Sequence, residues 1–251
     1  MVFLGFTRPS LASRRVAVDY GSARGFNYPA EHVGATRRSA SSAAPSSSPP
    51  DPPGVSRRGD VDVRGSNPVG DTHAARSGRL SLLRWVPYAT DRNFTRVGTG
   101  SEDFAVAKSF LQRWGHFQLG WSEVDAGTGT MRGDAVCVCA RVAGVWIRNP
   151  LRVVYNESGN LGDECAERFS FAHGCLEGHL LAGEESFVLE RRADDSVWYG
   201  VNTFSKPAHP LAFLGYPAVR LLQWRFAQDS MRAVRQGVEE GRTGGGGLNV
   251  G

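Results

Sequence analysis

The sequence predicts an α+β fold: a strongly curved antiparallel sheet of about six to seven strands, wrapped around one long C-terminal helix and sharing a single core with it. Three observations carry this. A strand followed by a helix opens the structured part of the chain, a run of six strand-like segments separated by turn signals comes next, and a long amphipathic segment closes it. Curving the sheet around the helix is the economical way to bury the apolar faces of that inventory.

The opening strand is "RNFTRVG" (Arg92 to Gly98). Ser101 then suits a helix N-cap, with Glu102 and Asp103 in the first turn, where acids complement the helix dipole. Phe104, Ala107, Phe110, Leu111 and Trp114 recur at helical spacing, and Gly115 marks the stop. The strand candidates are "WSEVDAG", "DAVCVCARVAG", "PLRVVYNESG", "RFSFAHGCL", "ESFVLERR" and "SVWYGVNTFS". Several alternate: Val136, Val138 and Ala140 share one face, with Cys137, Cys139 and Arg141 on the other. "ADDS" (Ala193 to Ser196) reads as a hairpin turn, because Asp tolerates tight-turn geometry. In the closing helix Pro217 suits a first turn, and Val219, Leu222, Phe226 and Ala233 mark one apolar stripe.

The 251 residues divide into four parts: an N-terminal segment (1–37), a Ser/Pro/Arg-rich insertion (38–86), the main α+β domain (87–240) and a Gly-rich tail (241–251). The insertion has almost no large apolar residues to offset its ordering entropy, so disorder is expected there, and flexibility in the tail. The charge follows the same division. Between Arg37 and Arg96 ten arginines face five aspartates, an excess larger than the whole chain's +4. From Val97 onward fifteen basic residues face eighteen acidic ones, so the globular part has no positive excess to neutralise phosphates, and nucleic acid is not expected as a partner. No apolar run approaches the roughly 18 residues of a spanning helix. The four cysteines lack zinc-site spacing and read as reduced thiols, which argues against secretion. The first eighteen residues are acid-free and contain Ser and Arg, a short version of organellar transit-peptide composition.

The densest chemistry lies in "FAHGCLEGHLLAGEESF" (Phe171 to Phe187). On one straight strand His173, Cys175, Glu177 and His179 would share a face, but residues six apart on a strand are about 20 Å apart, too far for one ion. No metal is expected. Arg152 alternates with apolar neighbours and points to a cavity, where Glu184 or Glu185 would have to pair it; it would either bind an anionic head group or hold two strands in register. Tyr155 lies on the same segment, and Lys206 stands beside two prolines before the last helix. There is no GxSxG, no phosphate loop and no dinucleotide fingerprint, and no cofactor is expected.

The blocks "FNYPAEHVGATR", "GSEDFAVAKSFLQRWGHFQLGW", "WIRNPLRVVY", "GHLLAGEESF" and "VWYGVNTFSKPAHPLAFLGYPAVRLLQWRF" together resemble the domain of unknown function 1990 family, also called uncharacterised protein family 0548. They occur in the family's order from about Leu11 to Gln236, interrupted by the insertion. Where this chain has His173, Cys175 and Glu177, the family typically shows an aromatic, Thr and Pro, so the resemblance also sets the metal reading aside. His179, Gly183, Glu184, Glu185 and Phe187 fit its pattern. These residues read either as an acid-base pair at a cavity mouth or, preferred on the frequency of satisfied structural pairs, as a glycine-framed loop between two strands. The element order resembles the START-like helix-grip fold, whose sheet and helix enclose an apolar cavity. The resemblance implies a non-enzymatic module binding a hydrophobic or amphipathic small molecule, with Arg152, Tyr155, His179, Glu184, Glu185 and Lys206 as ligand-binding candidates. The alternatives are an ion-conducting protein of the plastid outer envelope and an enzyme using His179 with Glu184 or Glu185. Location is accordingly cytoplasmic or plastid-associated, with peripheral membrane contact allowed.

Overall fold

The computed structural model describes residues 1–40, 86–160 and 165–245. Most of the 38–86 insertion and the last six residues of the tail lie outside the described residues.

Alternation along the strand segments becomes one antiparallel sheet of eight strands. The strands are β1 (Phe3–Gly5), β2 (Ala89–Thr99), β3 (Ser122–Glu123), β4 (Ala135–Val142), β5 (Val145–Gly159), β6 (Cys165–Cys175), β7 (Leu181–Arg192) and β8 (Ser196–Pro207). They lie in the order β2-β8-β7-β6-β5-β4-β3, and β1 pairs with β5 off that path. The helices are α1 (Leu11–Ser22), α2 (Ala35–Ala40), α3 (Gly100–Gln112), α4 (Pro210–Leu214) and α5 (Tyr216–Gly245). This is the START-like helix grip: the inner face of the sheet closes on α3 and α5. Phe171, Phe187 and Leu189 from the strands meet Leu111 of α3 and Phe226, Met231 and Val234 of α5 in one core. Tyr199 is fully buried there, and its hydroxyl is satisfied by Ser230 of α5 at 2.8 Å.

The outer face is covered by the N-terminal segment. Ala17 of α1 and Phe3 pack over Cys137, Cys139 and Trp146. Tyr28, with Phe26 and Val33 beside it, covers Ala182 and Phe204. All four cysteines are free and buried.

Local signals and structure differ in four places. Helix α3 begins at Gly100, so Ser101 lies inside it; Asp103 caps the turn by accepting the Thr99 N–H at 2.6 Å, and also pairs with Arg242 of α5. The left-handed residue after α3 is Trp114 (φ 58°), one position before the expected Gly115. That strained backbone is held by the buried indole, whose Nε1 donates to the Thr128 carbonyl at 2.9 Å. Of "WSEVDAG" only Ser122 and Glu123 pair as strand, because Asp125 accepts the Gly127 N–H and turns the chain. The buried stripe of α5 runs through Phe226, Ala227, Met231, Val234 and Val238, bypassing the half-buried Ala233.

A fifth difference concerns the glycine-framed loop. The turn between β6 and β7 spans residues 176–180, so Gly183, Glu184 and Glu185 lie within β7, paired with Ser205, Phe204 and Thr203 of β8. Gly183 has φ +143°, and a Cβ there would collide with the Phe204 carbonyl. Both strain and collision fall on backbone that cannot yield. Gly183→Ala is therefore expected to lower unfolding free energy by at least about 2 kcal/mol in urea titration; an unchanged midpoint at unchanged slope would contradict this account of β7.

Candidate functional site

Between the inner face of the sheet and the first turns of α5 lies a cavity of about 220 Å³. Small residues on the sheet side, Ala140 and Gly183, face Val219 and Leu222 of α5, and there is too little side-chain volume to fill the gap. Phe117, Trp121 and Phe226 give the wall aromatic surface.

Its polar groups follow from strand alternation. On β6, His173 points inward, with ring contacts to Trp114, Phe117 and Phe187. Register places it opposite Glu185 of β7, and its Nε2 lies 3.2 Å from Glu185 Oε2. His173 is 2% exposed, while the Glu185 side chain is 22% exposed. His179, on the turn before β7, uses Nδ1 to accept the Leu181 N–H at 2.9 Å, so its proton sits on Nε2. Burial and the neighbouring His173 push its pKa down to about 3, and the ring is neutral. Gln223 of α5 donates from Nε2 to the Ser205 hydroxyl oxygen of β8 at 2.8 Å and accepts from Arg220 on Oε1 at 2.9 Å. Behind the wall, His116 is fully buried beside Phe187, at 4.5 Å between ring centroids, and neither of its nitrogens has a partner among the described residues. Burial and the nearby His173 drive its pKa far down, so it too is neutral.

The six sequence candidates divide between the two faces. His179, Glu184 and Glu185 border the cavity. Glu184, however, turns its carboxylate outward: Oε1 accepts from the Tyr28 hydroxyl (3.1 Å) and the Gly34 N–H, and Oε2 from the Thr36 hydroxyl (3.0 Å). Tyr155 shares this network through Thr36 at 3.1 Å. Arg152 also faces outward, donating to the Ser22 carbonyl at 3.3 Å and lying over Phe26, so it pairs with neither Glu184 nor Glu185. Lys206 lies over the Tyr88 ring at 4.8 Å. Arg152, Tyr155 and Lys206 are not among the residues lining the cavity. The arrangement thus offers a latch for the N-terminal segment outside and a His–Glu pair inside. His173, set aside on the sequence, is the residue that reasoning missed; the signal was its register opposite Glu185.

The model of a family described as a domain of unknown function, DUF1990, matches residues 79–233. A UPF0548 protein of Arabidopsis thaliana is 42% identical over 142 residues, 57% of this chain and 69% of its own. A UPF0548 protein of Dictyostelium discoideum is 31% identical over 159 residues, 60% of this chain and 73% of its own. Among solved structures, TTHA0849 from Thermus thermophilus overlaps 61% of this chain and 98% of its own, at 11% identity and a TM-score of 0.43, a likeness that carries nothing about activity.

Glu184 gives the site a pH signature. Burial raises its pKa above the ordinary 4.5, against the lowering effect of its donors. The folded chain then holds more protons than the unfolded one above pH 4.5, so this group's contribution to stability falls as pH rises through that window. Glu184→Gln removes the titration, so variant minus wild-type stability is expected to grow as pH rises from about 4.5 toward neutrality. Urea unfolding across that range checks it, and a constant or shrinking difference would contradict it.

Proposed function

The chain belongs to the domain of unknown function 1990 family, and we propose that this member is a binding module that holds a hydrophobic or amphipathic small molecule between its sheet and α5. The observation that supports this is the cavity itself. Its wall is largely apolar, and its few polar groups are held by the fold: the His173–Glu185 pair, His179, and Gln223 bonded to Ser205. An apolar enclosure with a small number of positioned polar groups is the usual form of a small-molecule site. Enclosing an apolar ligand would also restore the dispersion contacts that an empty gap forfeits.

In this reading the anchors are His173, Glu185 and the Nε2–H of His179, with Arg152 outside the site. The open sheet supports binding over conduction. A strand-built pore requires closure, whereas here β2 and β3 are the two ends of the strand order and α3 and α5 occupy the inner face.

Filling the cavity tests the reading. Ala140 lines it from β4, and Ala140→Phe adds a ring where the ligand would sit. The protein is expected to bind the neutral dye Nile red, and the variant to bind it at least about tenfold more weakly while keeping cooperative melting, since overpacking costs only about 1–3 kcal/mol. Equal dye affinity in a folded variant would count against the cavity as the site.

A further inference from the structure

The polar character of the cavity follows from which residues fail to reach it. Among the described residues, no lysine or arginine lines the wall. Arg152 lies under the N-terminal segment on the other face of the sheet, and Lys206 lies over the Tyr88 ring, outside the wall. Two arginines of α5 touch residues of the wall without lining it themselves: Arg220 bonds Asp91 at 2.7 Å and Gln223 at 2.9 Å, and Arg225 bonds Asp229 at 3.3 Å while lying over the Trp121 ring. Glu184 spends its carboxylate on Tyr28, Gly34 and Thr36. That leaves Glu185.

Partner counts fix the protons around it. His173 Nδ1 is buried without a partner among the described residues, so a proton there would be an N–H with no acceptor. The proton therefore sits on Nε2 and is donated to Glu185 Oε2. His179 is neutral for the reasons given above. Glu185 thus has Oε2 engaged and Oε1 without a hydrogen-bond partner among the described residues, on a wall that includes Phe117 and Phe226. An acceptor oxygen without a partner on a largely apolar wall calls for a donor, and aromatic faces favour a cation over an anion.

We propose that the cavity selects an apolar molecule whose polar head is a hydrogen-bond donor, a protonated amine or a hydroxyl seated against Glu185, and that it rejects the corresponding carboxylate. This rests on the binding reading and gives it a ligand class. The donor head would occupy Oε1, leaving the His173 bond intact. A carboxylate head would meet the acceptor oxygens of Glu185, and among the described residues no lysine or arginine lines the wall to receive it.

The test displaces Nile red from the wild-type protein with octylamine, 1-octanol and octanoate at neutral pH, each below its aggregation threshold. Octylamine or octanol is expected to compete at least tenfold more tightly than octanoate. A tighter amine identifies the ammonium head, and a tighter alcohol the hydroxyl. In Glu185→Gln octanoate should approach both donors, and any advantage of the amine over the alcohol should vanish. Octanoate matching the better donor on the wild type overturns the proposal, whether or not the variant folds. So does an unchanged ranking in a folded variant. If Nile red and all three probes fail to bind, the binding reading falls as well; if the dye binds and octanoate wins, only the charge assignment falls.

Discussion

Two consecutive residues on a strand must face opposite ways, and in this protein that constraint falls on Glu184 and Glu185. One carboxylate is delivered to the outer face, where three donors of the N-terminal segment close on it. The other is delivered to the inner face, opposite His173. Shifting β7 by one residue would exchange them, burying Phe187 and Leu189 against the wrong layer and stranding both charges. Gly183 helps hold the strand in place, because its φ of +143° and its close approach to Phe204 admit no side chain. The latch, the cavity pair and the core register are therefore consequences of a single alignment.

The same alignment joins parts of the chain that are remote in sequence. Tyr28, Gly34 and Thr36 meet Glu184 across about 150 residues, and Tyr155 joins through Thr36. Arg152 reaches the end of α1 from the same outer face. Arg152, Tyr155 and Glu184, half of what looks like a polar binding set in the sequence, thus hold the N-terminal segment to the sheet, and their commitment there leaves the Glu185 carboxyl group facing the cavity.

Much of the fold was legible because its signals are local. Alternation at Val136–Ala140 and Phe187–Leu189, the turn at Ala193–Ser196, where Asp195 takes φ 65°, and the apolar stripe of the last helix all express periodicity that neighbouring residues carry. What was not legible depends on tertiary packing. Nothing local shows that Trp114 would take the left-handed position ahead of Gly115, because the indole's buried contacts hold it there. Gly183 reads as a turn residue until its contact with β8 is known. The direction of Arg152 could not be read from alternation alone, since two apolar layers, the core and the N-terminal cover, flank β5. His173 was lost for a different reason: its departure from the family pattern argued against it, whereas its pairing with Glu185 is set by strand register.

The binding proposal requires that the gap between sheet and helix be occupied by a small molecule. Native mass spectrometry of the full chain purified from a eukaryotic host measures this most directly. A stoichiometric mass addition of one small molecule is expected, released on collisional activation and missing from Ala140→Phe. Repeated preparations that give only the bare polypeptide mass would contradict it.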